Sequence, residues 1–459
     1  MSDVKRFGDR NRTSYLNEVN QEATSDDTTM VTLNWLFGLP VGQQVSNGPT
    51  PGESIREDIQ LLPPTEDPWY KAPPDLDRKR VGEILKIRQA PGNLTAIIGN
   101  SLGTAYNILY RTTDSAGRPS WAVTTLLIPS SFNFSPSGKA VMVSYQFAYN
   151  SANPDSSPSF ALYGKLAEEN KHLGLKSSTS FLDQLLSQGW IVNTPDFAGP
   201  MAAFGATVQA GHATLDSIRS VQNLAQLTGG TEMSIVIWGY SGGTTATAAA
   251  AEMQPTYAPE LKLDGAILGG MANDLASSFD RLNGGPIAGS IIAILLGITA
   301  QFPDARAYLT SCLVPETRDE FLSVLETEAS KSVLHFSGRD IYAFFKDGKK
   351  DVYGPILVEL YETQMKIGTR STPVMPMFIY HAIGDQVCPV DKVDDVVSKW
   401  REDGAHILFE RNTLGNHVSE IENGKPRAMA WLRQIFDESY ETSTCTIRNV
   451  IVEAPADSA

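Results

Sequence analysis

The residues of this 459-residue chain that can do chemistry begin with Gly239-Tyr240-Ser241-Gly242-Gly243. This G-x-S-x-G pentapeptide follows an apolar run at 235–238 and precedes Thr244-Thr245-Ala246-Thr247-Ala248-Ala249-Ala250-Ala251-Glu252. The arrangement predicts a serine on a sharp turn between a strand and a helix. Backbone strained in this way closes only if the positions two before and two after the serine are small, a need that Gly239 and Gly243 meet. The alanine-rich helix suits the same purpose, because small side chains let it approach the sheet and aim the positive end of its dipole at the site. A second copy of the pattern, Gly99-Asn100-Ser101-Leu102-Gly103, leads into a strand instead of a helix, and Ser101 reads as a loop residue.

A serine hydroxyl is a poor nucleophile until a base takes its proton, and the base needs an acid to orient it. On a turn of this kind the chain order is Ser, then Asp or Glu, then His. Of the six histidines, His172 and His212 precede Ser241, His335 falls in a segment that interrupts the strand pattern, and His406 begins a strand. His381 ends a strand but precedes the best acid. His417, in the loop Leu414-Gly415-Asn416-His417, is the predicted base. Asp385 is the predicted acid, because it follows the apolar run 377–380 in a loop at the carboxyl end of the sheet, where α/β enzymes place functional groups. Asp391, Asp394 and Asp395 read as the acidic start of the next helix. Asp385 would hold the imidazole in one tautomer and stabilise the imidazolium. A tetrahedral intermediate also needs donors for its oxyanion, each worth about 3 kcal/mol of barrier. The N–H of Gly242 is one, and Asn150, in the loop after the run 140–143, supplies the other. The chemistry implied is acyl transfer through a covalent serine intermediate, with neither cofactor nor metal.

The elements that position these residues follow from periodicity. A β-hairpin is predicted from 105–110 and 121–128 around a turn at 114–119. Short apolar runs at 140–143, 190–192, 234–238, 265–268, 377–380 and 406–409 then alternate with helix-length segments. The pattern implies an α/β fold, a mostly parallel sheet covered by helices on both faces. About a hundred residues separate the run at 265–268 from that at 377–380, too many for one crossover, so an inserted subdomain is predicted over 274–362. Residues 1–66, rich in Asp, Glu, Asn, Pro and Gly, read as an extended arm.

Composition excludes other classes. Lys+Arg 37 against Asp+Glu 52 gives a net charge of -15, which repels phosphate backbones and anionic membranes, so no nucleic-acid partner is expected. Cys312, Cys388 and Cys445 are too few for a disulfide framework and lack zinc spacing, which leaves room for one disulfide at most. The first twenty residues lack the apolar stretch of a secretory signal, which favours an intracellular protein. No run reaches the roughly 18 to 20 apolar residues of a membrane span. The longest, 286–298, is interrupted by Gly289, Ser290 and Gly297, so a soluble protein without stable membrane insertion is expected.

Assembled, these residues resemble the fungal secretory lipase family, the lipase A type of yeasts, from about Asp67-Pro68-Trp69-Tyr70 to the C-terminal helix near Trp431. The likeness rests on Tyr110-Arg111-Thr112-Thr113-Asp114, Tyr145-Gln146-Phe147-Ala148-Tyr149, Gly239 to Gly243, Gln254-Pro255-Thr256-Tyr257-Ala258-Pro259-Glu260-Leu261, and the loops of Asp385 and His417. It implies an α/β-hydrolase core over 67–273 and 363–459, with a helical cap at 274–362. It also implies hydrolysis of carboxylic esters, sometimes with acyl transfer to alcohols, by a triad of Ser241, Asp385 and His417. The greasy run 287–296 would roof an apolar pocket, or else form the core of the cap. Asn150 departs from the aspartate expected in the family's oxyanion loop, and the polar N-terminal arm departs from the family's secretion signal. Two other readings of the chain are an acyltransferase or esterase of secondary metabolism using the same triad, and a catalytically silent binding protein. A serine peptidase is possible on this fold, but no peptide-anchoring acidic motif argues for it.

Overall fold

A computed structural model describes residues 61–162, 175–227, 232–441 and 444–454. Its organising element is a sheet of ten strands: β1 (Ile84–Gln89), β2 (Leu102–Thr113), β3 (Pro119–Pro129), β4 (Ala140–Gln146), β5 (Ile191–Pro195), β6 (Met233–Tyr240), β7 (Gly265–Gly269), β8 (Met377–Ala382), β9 (Ile407–Asn412) and β10 (Thr446–Val450). Their spatial order is β1-β2-β3-β5-β4-β6-β7-β8-β9-β10. The first three strands and β5 pair antiparallel, and everything from β5 through β4 to β10 is parallel. This is the mostly parallel α/β sheet that the alternation of apolar runs predicts.

Central strands covered on both sides need apolar residues at every position. In β6, Ile235 and Ile237 pack on one face with Leu268, Ile379 and the helices Gly243–Tyr257 and Val390–Glu402. Val236 and Trp238 pack on the other with Ile267, Phe378, Tyr380 and the helix Ser419–Phe436. The period of two therefore survives, with both sets of side chains buried. The edge strands β1 and β10 escaped the sequence reading. Each is short, charged and half-exposed, which suits a sheet edge and blurs the pattern.

Between β7 and β8 the chain builds a layer of short helices with its own apolar core. The greasy run becomes the helix Gly289–Ile298, buried on nearly every side among Phe321, Phe336 and Phe344. It is thus the interior of the cap layer. Gly297 lies so close to the backbone of Phe204 that a Cβ there would collide with it, which fastens the layer to the core at the loop after β5. A second fastening comes from the β2–β3 turn. The Ser115 N–H donates to Gln301 Oε1 at 2.8 Å, Arg118 donates to the Gln301 carbonyl at 2.9 Å, and Gln301 Nε2 donates to Gln209 Oε1 at 2.9 Å. Among the described residues no helix is long and apolar enough to cross a membrane. Cys312, Cys388 and Cys445 are free thiols.

The helix Ser419–Phe436 starts two residues after His417, and an ionic network fixes its start. Arg427 pairs with buried Glu420 and, at 2.7 Å, with buried Glu410, which also pairs with Arg448 of β10. Replacing Arg427 with methionine leaves buried Glu420 without its cation and buried Glu410 with Arg448 alone, a defect that costs about 3 kcal/mol. Arg427→Met is expected to lower the unfolding free energy by that order in a denaturant titration.

Candidate active site

Strand β6 ends and the helix Gly243–Tyr257 begins within three residues, and the backbone at the junction is forced into the left-handed region. Ser241 has φ 52°. For a residue with a Cβ this costs about 1–3 kcal/mol and persists only where the surroundings hold it. Here the Ser241 N–H donates to the Gly269 carbonyl at 2.9 Å, and the Ser241 carbonyl accepts from the Thr244 N–H at 2.9 Å. The helix can come this close because of its small residues. A Cβ on Gly239 would strike Thr247 and the Gly243 backbone, and one on Gly243 would strike the carbonyl of Gln146 in β4. The requirement read from the pentapeptide is met at both positions. Ser101 lies instead in the turn before β2, its N–H given to Asp183.

Asp385 lies in the turn after β8 and is buried. Each of its oxygens has separate partners. Oδ1 accepts the N–H groups of Val387 and Cys388 at 2.8 and 2.7 Å, and Oδ2 accepts His417 Nδ1 at 2.6 Å. Burial works against its charge, but the hydrogen bond from His417, the two nearby histidines and the Cys388 N–H outweigh it and hold the carboxyl below its usual range. His417, 8% exposed, turns its other nitrogen to the serine, with Nε2 2.7 Å from Ser241 Oγ. Three residues from three different loops therefore form one continuous hydrogen-bonded chain. The arrangement can take a proton from a serine hydroxyl and hold the resulting cation against a fixed anion.

Asn150 arrives from the loop after β4 with φ 42°, and its side chain packs against Gly242, where a Cβ would collide with Oδ1. That Oδ1 is buried without a hydrogen-bond partner. The two predicted oxyanion residues are thus neighbours beside Ser241. Asp385, Cys388 and His417 also bring three donor atoms within 4.8 Å of one another, a spacing that could hold a metal ion. Burial pushes the Cys388 thiol well up and Asp385 adds to it, so it is a protonated thiol at neutral pH, which is a weak metal ligand.

Three residues at the site escaped the sequence reading. The Tyr240 hydroxyl donates to the His417 carbonyl at 2.6 Å, and Gln386 Oε1 accepts the His417 N–H at 3.2 Å, so His417 is held by its backbone from both sides. His381, passed over because it precedes the acid, is fully buried beside Asp385. Tyr240 and Gln386 occupy the variable positions next to the serine and the acid, where no spacing rule marks them. The remaining acids fall on the helix Val390–Glu402, where Asp394 pairs with Arg411.

Comparison with known proteins converges on one family. The family model for secretory lipases matches residues 169–444. A probable trichothecene esterase of Stachybotrys chartarum is 55% identical over 432 residues, 94% of this chain and 89% of that protein. The trichothecene C-3 esterase of Fusarium sporotrichioides is 38% identical over 430 residues, 91% of each. Among solved structures, Candida antarctica lipase A in its closed state superposes with a TM-score of 0.77 at 26% identity, covering 87% of this chain and 93% of that one.

The Tyr240 hydroxyl contacts the backbone of His417 and not its ring, so its removal should loosen His417 without emptying the site. Tyr240→Phe is expected to lower kcat by about tenfold, equivalent to about 1.4 kcal/mol, with KM nearly unchanged in steady-state ester hydrolysis.

Proposed function

From membership of the secretory lipase family, which makes this chain a carboxylic ester hydrolase, we propose that Ser241, His417 and Asp385 are its catalytic triad and that its substrates are esters of trichothecenes. The observation that carries the first part is the position of His417 between Ser241 Oγ at 2.7 Å and Asp385 Oδ2 at 2.6 Å. Ser241 Oγ attacks the ester carbonyl while His417 Nε2 takes its proton. Asp385, bonded to Nδ1, keeps the lone pair on Nε2 and stabilises the imidazolium. The carbonyl oxygen becomes an anion that the N–H groups of Gly242 and Asn150 receive. An amide at position 150 adds no negative charge beside that anion, as the aspartate expected of the family would if ionised. His417 then protonates the leaving alcohol, the acyl group stays on Ser241, and water activated by the same histidine releases the acid.

The substrate reading is supported by the two relatives named as trichothecene esterases, each aligned over at least nine-tenths of this chain. The cap layer, fastened at Gly297 and Gln301 among other places, favours a discrete small molecule over the surface of a fat droplet, because a layer so pinned has less freedom to swing clear.

Two experiments test this. Labelling with a fluorophosphonate followed by peptide mapping is expected to modify Ser241, and Ser241→Ala should lose both label and ester turnover; a label on another serine, or retained turnover, would move the nucleophile elsewhere. Hydrolysis of a trichothecene esterified at C-3 is expected to exceed that of emulsified triglyceride by at least about tenfold in kcat/KM. The reverse ranking would make the protein a lipase in the narrow sense, and a product in which an added alcohol carries the acyl group would make it a transferase.

A further inference from the structure

His381 is the residue of the site that the triad leaves unexplained. It is fully buried at the end of β8, four residues before the acid, and both ring nitrogens are engaged. Nδ1 lies 3.1 Å from the backbone nitrogen of Met271, which can only donate, so Nδ1 carries a lone pair. The proton of the neutral ring is therefore on Nε2. That nitrogen is 2.7 Å from the Cys388 carbonyl and 3.4 Å from Asp385 Oδ2. Burial lowers the affinity of the ring for a second proton and outweighs the opposing pull of Asp385 and the Cys388 carbonyl.

These contacts close a ring of interactions around the acid. Residue Cys388 is held at both of its backbone groups, its N–H by Asp385 Oδ1 at 2.7 Å and its carbonyl by His381. Oδ2 faces two histidines, His417 at 2.6 Å and His381 at 3.4 Å. Met271 follows β7 where the chain leaves the sheet for the cap layer, so the imidazole spans from that departure point to the turn that carries the acid.

We propose that His381 is a positioning residue for Asp385: an imidazole that donates from Nε2 to the Cys388 carbonyl, fixes the turn 383–389 and so steadies the carboxylate oxygen bonded to His417. The inference rests on the proposed triad. A buried histidine that merely filled space would affect stability alone, whereas a positioning residue must change the behaviour of the acid–base pair. The ionisable groups around the ring are Asp385, His417 and Cys388, with Asp394 farther along the following helix, so any displaced titration is read against these.

The test compares three variants of the full chain with the parent and with Ser241→Ala, using a soluble ester and checking fold by circular dichroism. In His381→Gln the side-chain NH2 reaches the place of Nε2, and in His381→Asn the carbonyl oxygen replaces Nδ1 alone. His381→Phe keeps the bulk and loses both bonds. His381→Gln is expected to keep kcat within about threefold of the parent. His381→Asn and His381→Phe should lose about 30-fold in kcat with KM within about twofold. The acid limb of their kcat/KM profile should move up by about half a pH unit, because a carboxylate no longer flanked by the Nε2–H dipole holds the imidazolium proton more strongly.

Folded His381→Asn or His381→Phe with parental kcat and an unmoved acid limb would overturn the inference. So would failure of both to fold while His381→Gln is soluble and fully active, which would assign the residue to the fold alone. Turnover retained in Ser241→Ala would instead remove the triad reading itself, whatever the His381 variants do.

Discussion

The constraint on which the rest of this structure depends is the close approach of the helix Gly243–Tyr257 to the end of β6. A serine at φ 52° is tolerable only if strand and helix are both immobile and nearly touching. That requires no side chain at Gly239 and Gly243 and only small ones along the buried face of the helix, where Ala248 to Ala251 are inaccessible to solvent. The strain is thus held by packing on both sides of the sheet. The same closeness brings the loop after β4 against Gly242, so the turn that presents the hydroxyl also builds the wall where an oxyanion would sit.

Everything else at the site is arranged to bring two loops to that fixed hydroxyl. β8 and β9 are neighbours in register, and the turns at their carboxyl ends touch, so a Cβ on Gly384 would crowd the carbonyl of Gly415. Asp385 and His417 therefore approach Ser241 together. Tyr240 then grips the carbonyl of His417 from the side of Ser241 and Gln386 grips its N–H from the side of Asp385. The imidazole is left with few arrangements other than the one observed. Buried networks of this kind are worth keeping only when every member has its partner, and the carboxylate of Asp385 does.

The cap layer has a different physical character. Its helices are short, most lack side-chain caps, and its cohesion comes from the aromatic and aliphatic cluster around Gly289–Ile298. Helices of four to ten residues have little stability of their own, so the layer stands through tertiary packing. Two of its fastenings to the core bear on Phe204 in the loop after β5 and on the β2–β3 turn, positions that a local reading of either segment does not reveal.

The sequence by itself determined the α/β class and singled out Ser241, Asp385 and His417, which the structure joins in one hydrogen-bonded chain. Each is marked by a rule that acts over a few neighbouring residues: small residues around a strained serine, a loop after a buried strand, a period of two under two covering layers. It also separated Ser241 from Ser101, because the residues after each decide between helix and strand. The edges of the sheet were beyond it, since β1 and β10 are half-exposed and their charged residues hide the alternation. Beyond it too were Tyr240, Gln386 and His381, whose partners lie 177, 31 and 110 residues away in the chain. Only tertiary structure decides such contacts, because no local pattern encodes which distant backbone group a side chain will meet. The greasy run of the cap makes the same point: its composition calls for burial, and the packing around it alone decided that it is the interior of the cap layer.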